Sequence, residues 1–267
     1  MLSVGNLKLG DGMPKICASI TEEDKKSVLA SADIMIQKRV DLVEWRLDYF
    51  KDLDDPAIMD ETLKRLHKAL GKMPLVVTYR TENEGGLGKY SVEEYRELLL
   101  NISKSEFVDI VDFEVFNDRN SSDDIKDFIE NGNISNDAFD FISRLRENAL
   151  VIGSYHNFDS TPDRITIEAI LKIQDLLECD ILKIAVMPGN DADVVALINA
   201  VNEVYVHGTK RPIIAMSMGG IGAVSRIIGE TFGSAVTFAS VGQASAPGQI
   251  EAMRLRGMLE NLHSLRI

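Results

Sequence analysis

The chain has 267 residues, 27% of them charged and 45% hydrophobic, the make-up of a globular protein long enough for one (β/α)8 barrel. A formal net charge of −13 speaks against a nucleic-acid partner, because phosphate binding needs a basic surface, so an anionic ligand must be met by a local group of arginines. Two cysteines in apolar runs, Cys17 and Cys179, exclude a disulfide framework, and the lack of a membrane-length apolar stretch or a basic apolar leader leads us to expect a cytoplasmic protein with no membrane partner.

Residues 1–12 carry turn material at Gly5-Asn6 and Gly10-Asp11-Gly12 and read as a small hairpin closing the bottom of a barrel. Strand-like and helix-like runs then alternate. A strand at 15–19 precedes a helix at 21–39, 41–47 precedes 56–70, 74–80 precedes 91–103, and 109–115 precedes 135–147. The pattern continues with 149–156 and 161–177, 180–186 and 192–206, 211–216 and 223–232, and 234–241 and 249–262. Apolar residues at three- and four-residue spacing mark the helices. Thr21 with Asp24, Ser91 with Glu94, and Pro162 after Thr161 mark helix starts. Strict βα alternation implies a parallel sheet, and eight units imply a closed (β/α)8 TIM barrel spanning 1–267 as a single domain. An antiparallel sheet with one wet face would show the same alternation within strands, but the intervening helices favour parallel strands. The acidic, polar stretch 117–134 falls outside the units and reads as a loop extension with one short helix.

Strand parity then sorts the polar residues, since residues two apart share a face. Glu44 and Arg46 lie opposite Val43, Trp45 and Leu47. Thr78 pairs with Arg80, Asp112 with Glu114, Ser154 with His156, and Lys183 with Ala185. If the apolar faces meet the helices, these polar sets converge inside the barrel near the strand ends, where active sites of this fold lie. Lys183 sits in the apolar run 179–187, where an ammonium is costly and a neutral, nucleophilic amine is expected instead. With His156 one βα unit upstream, that amine suits Schiff-base chemistry on a ketone. The alternative is a structural lysine paired with a carboxylate.

The loops add candidates. The glycine loop 81–88 carries Glu84 and is either a surface turn or a flap returning a carboxylate over the pocket. The small-residue loop 241–249 offers Ser245 and backbone N–H groups to an anion, or serves as a lid. Arg226 follows the glycine-rich 218–222 and suits bidentate capture of a carboxylate, or is a surface charge. His67, His207 and His263 read as surface residues, and no residue set has metal-ligand spacing or a dinucleotide fingerprint.

Taken together, Glu44-Trp-Arg46, Tyr79-Arg-Thr-Glu-Asn-Glu-Gly-Gly86, Ser154-Tyr-His-Asn-Phe158, Leu182-Lys-Ile-Ala185, Met216-Ser-Met218, Ser225-Arg226 and Gln243-Ala-Ser-Ala-Pro-Gly-Gln249 resemble type I 3-dehydroquinate dehydratase, from about Lys15 to the C-terminus. The resemblance implies a homodimeric (β/α)8 lyase with no metal and no organic cofactor. It would convert 3-dehydroquinate to 3-dehydroshikimate and water by syn elimination, in the shikimate pathway of aromatic amino acid biosynthesis. By matching motif, Lys183 would form the imine, His156 would be the general acid/base, and Glu84 would orient that imidazole. Glu44, Trp45, Arg46 and Arg80 would meet the ring and its hydroxyls, and Arg226 would hold the carboxylate. Ser245 and Gln249 would close over the substrate, with Ser19 lining the pocket and Met216, Met218 and Phe238 forming an apolar wall. A class I Schiff-base aldolase and a non-catalytic carboxylate-binding barrel are the alternatives.

Overall fold

Period-two apolar runs become strands because each can bury one face against helices and the other inside a ring. In the computed structural model, which describes residues 1–117, 121–242 and 244–266, they do so throughout. Residues 118–120 of the acidic extension and Gln243 of the last loop lie outside the described residues. A hairpin of β1 (Leu2–Val4) and β2 (Leu7–Leu9) comes first, antiparallel, turning at Gly5-Asn6. Eight strands follow: β3 (Lys15–Ile20), β4 (Leu42–Arg46), β5 (Leu75–Thr78), β6 (Ile110–Glu114), β7 (Leu150–Asn157), β8 (Ile181–Val186), β9 (Ile213–Ser217) and β10 (Val236–Ala239). All ladders between them are parallel, in the order β10-β3-β4-β5-β6-β7-β8-β9. The expected barrel is therefore present, nearly closed. Between β9 and β10 no ladder runs; Ala235 N–H donates to the Ile213 carbonyl at 2.7 Å, and the Ser234 hydroxyl accepts from Ala215 N–H at 3.0 Å.

Caps decide where the helices begin. α1 (Lys25–Gln37) starts only after Asp24, whose carboxylate accepts from Ser27 N–H, so the helix is shorter than the 21–39 pattern. α2 (Pro56–Leu70) has Pro56 in its first turn behind an Asp55 cap, and α3 (Val92–Ser103) carries the Ser91/Glu94 capping box. α4 (Ser121–Asn131) is the short helix expected in the extension. α5 (Asn136–Arg146), α6 (Arg164–Leu176) and α7 (Asp191–His207) follow. The helix expected over 223–232 is broken into α8 (Ala223–Ile227) and α9 (Gly229–Phe232). The chain turns at Ile228 so that Gly229 can lie against the barrel, where a Cβ would come within 2.8 Å of Pro14 and 2.9 Å of the Ser234 carbonyl. α10 (Ala252–Ser264) ends the fold. No helix among the described residues is long and apolar enough to cross a membrane.

Two apolar clusters result. One lies between barrel and helices and takes Val43, Trp45, Val77, Val111 and Ile184. The other fills the barrel interior with Leu42, Val76, Ile110, Ile152, Ile181 and Val236, and Val4 and Leu9 of the hairpin join it from below. With its lower half packed by aliphatics, the ring leaves only the carboxyl ends of its strands for polar groups.

Candidate active site

Two residues further along the strands from that aliphatic floor, the inward positions become polar or charged: Glu44 above Leu42, Thr78 above Val76, Asp112 above Ile110, Ser154 above Ile152 and Lys183 above Ile181. Register sets Glu114, Ser154 and Lys183 side by side on β6, β7 and β8, and Ser19 beside Glu44 on β3 and β4. Lys183 is 3% exposed. Its Nζ donates to Asp112 Oδ2 at 2.8 Å, lies 3.5 Å from Glu44 Oε1, and stands 4.8 Å from the centre of the Phe238 ring. The apolar surroundings expected for this amine are thus only one side of it, and the carboxylate partner of the alternative reading is also present. Arg80 is the hub of the cluster. Its guanidinium donates to Asp112 at 2.7 Å, Glu114 at 2.9 Å, Glu84 at 3.1 Å and the Ser154 hydroxyl at 3.1 Å. Glu84 in turn stands 2.8 Å from His156 Nδ1, so the glycine loop does return a carboxylate over the pocket. Gly85, at φ +80, makes that return possible and lets the Phe158 ring close against the loop.

These charges tune one another. Burial favours the neutral form of Asp112, but Arg80 and Lys183 outweigh it and hold the carboxyl well below the usual carboxylate range. Burial, with Glu114 nearby, pushes Glu84 well above its ordinary value. His156 is held well below the ordinary imidazole value, by burial first and then by Arg80 and Lys183. The imidazole is therefore neutral near pH 7, with Nδ1 committed to Glu84 and Nε2 left for chemistry.

A cavity of about 500 Å³ opens onto this cluster. Ser19, Glu44, Arg46, Arg80, Glu84, His156 and Lys183 line its charged side, and Met216, Met218 and Phe238 its apolar side. Ser245 and Gln249 line it from the last loop, which bonds to itself between Gln249 and Ser245 and reaches Ser19 at 3.2 Å through the Ser245 hydroxyl. Two expected site residues stand elsewhere. Trp45 is fully buried in the layer under the helices, edge-on to Phe50, because strand parity turns it away from Glu44 and Arg46. Arg226 does not line the cavity. Its guanidinium lies behind the wall, donating to the carbonyls of Phe238 at 3.2 Å and Pro247 at 3.0 Å, and so ties the last loop to β10. It has no carboxylate partner among the described residues, and burial pushes it down to about 10.

Two residues that the sequence did not single out hold the site in place. Asp48, in the turn after β4, takes Arg46 in a two-point fork at 2.8 and 2.7 Å and also accepts from the N–H groups of Arg80 and Leu87. One carboxylate thereby fixes a cavity arginine and the glycine loop together. Gln174, wholly buried on α6, clamps the main chain of Lys183 by donating to its carbonyl at 3.0 Å and accepting from its N–H at 3.1 Å. Gln174→Leu should leave both groups unpaired, at about 1–3 kcal/mol each. Urea unfolding is expected to show that loss together with reduced activity, and unchanged stability would remove Gln174 from this role. Among the described residues no group of three or more His, Cys, Asp or Glu is placed to hold a metal ion.

A parallel barrel with a charged cavity at the carboxyl ends of its strands, floored by aliphatics and crossed by two loops, defines a (β/α)8-barrel enzyme. Comparison with known proteins agrees on which one. The Type I 3-dehydroquinase family matches residues 16–266. The 3-dehydroquinate dehydratase of Enterococcus faecalis is 36% identical over 257 residues, 96% of each chain, and that of Clostridium botulinum 37% over 263 residues, 98% of each. The crystal structure of type I 3-dehydroquinate dehydratase from Clostridium difficile with covalently modified comenic acid superposes with a TM-score of 0.89 at 34% identity, covering 99% of this chain and 98% of that one. The chain belongs to the type I 3-dehydroquinase family, a family of carbon–oxygen lyases.

Proposed function

We propose that the chain dehydrates 3-dehydroquinate to 3-dehydroshikimate through an imine on Lys183, with His156 as the general acid/base. The observation that carries this reading is the meeting of a buried amine and a neutral, carboxylate-bound imidazole in one cavity. The covalently modified comenic acid in the Clostridium difficile relative supports a nucleophile in sites of this kind.

The chemistry follows from what an imine does. Lys183, once it has lost its extra proton, adds to the substrate ketone, and loss of water leaves a protonated imine. The cationic nitrogen makes the neighbouring C–H acidic, because it accepts the electron pair as an enamine. Nε2 of His156 takes that proton. The enamine pair then expels the β-hydroxyl, which leaves as water with the proton that His156 gives back. One water finally hydrolyses the conjugated imine and frees Lys183, so the net change is the loss of a single water. Use of one imidazole for both proton steps makes the elimination syn. Glu84 is the positioning residue for His156, and the glycine loop brings it there.

Glu44, Arg46 and Arg80 supply polar contacts for the ring hydroxyls on the charged side, and Met216, Met218 and Phe238 cover the opposite face. The uncompensated charge of Arg226 behind that wall draws the substrate carboxylate towards it without direct contact in the present arrangement. The homodimeric, cytoplasmic, cofactor-free biosynthetic enzyme implied by the family resemblance is part of the same reading.

Purified protein mixed with 3-dehydroquinate should generate the absorbance of a conjugated enone, at the same rate with and without a chelator. An aldolase would break the carbon chain without that absorbance, and a binding barrel would leave the substrate intact. Either outcome, or inhibition by the chelator, would overturn the proposal.

A further inference from the structure

We infer that Asp112 is the counterion of the protonated imine, a catalytic residue that stays on the reacting nitrogen from free enzyme to product. The inference rests on the Lys183 imine proposed above. Asp112 is fully buried, and its Oδ2 is the 2.8 Å acceptor of Nζ. Its other oxygen is held by the Ser154 hydroxyl at 2.6 Å and by Arg80 at 2.7 Å. The carboxylate is thus fixed before substrate arrives, with one oxygen reserved for the nitrogen. Gln174 fixes that nitrogen's own main chain from behind. Glu44, the other carboxylate near Nζ, is farther off at 3.5 Å and already takes the hydroxyls of Thr78 and Ser19.

The charged and titratable groups around this nitrogen come from β3 to β7 and the segments beside them, whereas β9 and β10 face the cavity with Met216 and Phe238. Cys17 faces it from β3, Glu44 and Arg46 from β4, Arg80 from the end of β5, and Glu114 beside Asp112 from β6. His156 faces it from β7, Glu84 from the glycine loop, and Tyr95 stands behind Asp112 on α3. Arg80 is engaged by three carboxylates and Lys183 by two, so Asp112 is shared between the two cations. An ammonium and a protonated imine carry the same unit charge at the same place. A carboxylate that pairs with the first therefore pairs with the second, and that pairing keeps the imine nitrogen protonated. Only the protonated form is an effective electron sink, because the pair from the C–H bond must end on a nitrogen that becomes neutral.

The test uses cyanoborohydride, which reduces protonated imines selectively, with 3-dehydroquinate and the full-length enzyme, read as added mass on the intact chain. In the unaltered enzyme the trapped fraction should stay level from about pH 6 to about pH 9. In Asp112→Asn the imine should lose its proton about 1–3 pH units lower, so trapping near pH 6 persists and falls about ten-fold or more by pH 9. A level profile in Asp112→Asn overturns the counterion role. So does a profile in the unaltered enzyme that itself falls through neutrality, a result that needs no variant to fold. Absence of any adduct in the unaltered enzyme would instead sink the Lys183 imine itself.

Discussion

Lys183→Ala is expected to abolish turnover, with kcat lowered on the order of 10⁵- to 10⁶-fold, the scale seen when an enzyme loses its covalent nucleophile. Lys183 is the only lysine among the described residues that line the cavity, and Arg80, bound by Asp112, Glu84 and Glu114, has no free pair to offer a ketone. The variant should still fold, because Asp112 keeps its bonds to Arg80 and Ser154 after the ammonium is gone. Circular dichroism and a stopped assay at high enzyme concentration check both halves of this expectation. A rate within about ten-fold of the parent would remove Lys183 from the mechanism, since positioned acid–base catalysis alone spans about 10²–10⁴-fold.

His156→Ala carries the second largest effect, a fall in kcat of about 10²–10⁴-fold. Its signature is different. The amine of Lys183 is untouched in this variant, so the covalent adduct should still form and accumulate, and reductive trapping should add the ligand's mass to most of the chain. Loss of the adduct along with the activity would mean that the imidazole serves only imine formation. In the parent enzyme the rate should depend on the imidazole being neutral. Burial, Arg80 and Lys183 hold it well below the ordinary 6.5 of histidine, so protonation switches the enzyme off only at a pH well under that value. A pKa at or above 6.5 for the His156 imidazole itself, followed by NMR in the free enzyme, would contradict the environment found for it.

Much of this site was readable because period-two alternation has one physical outcome in a ring with helices outside. Glu44 and Arg46, Asp112 and Glu114, Ser154 and His156 all turned inward together once the barrel was assumed. The same parity already placed Trp45 outside, and the motif around it misled where the alternation did not. What stayed hidden depends on contacts between distant segments. Lys183 and its partner Asp112 are 71 residues apart, on strands two places removed in the ring, and no local pattern links them. Gln174 is a polar residue on an apolar helix face, recognisable only once the main chain it clamps is known. Asp48 sits in a short turn where a surface acid is the ordinary reading, and its fork on Arg46 closes only because the chain winds into a 3-10 turn at Leu47–Tyr49 directly after β4. Arg226 was placed near the right wall, but its donors were claimed by carbonyls that the sequence did not put within reach. The break at Ile228 likewise follows from how near Gly229 passes to Pro14, a distance set by packing.

The ring is stitched unevenly. Continuous ladders join the strands that carry its carboxylates and its lysine, whereas β9 and β10 meet through one main-chain bond and a serine hydroxyl. Met216 and Phe238 hang from those two strands. The compliance of the barrel is therefore concentrated at its greasy wall, where a cyclohexane face of changing pucker has to be accommodated. The groups that move protons are mounted on the continuous part of the ring, His156 on β7 and Lys183 on β8, where an unbroken ladder fixes their spacing.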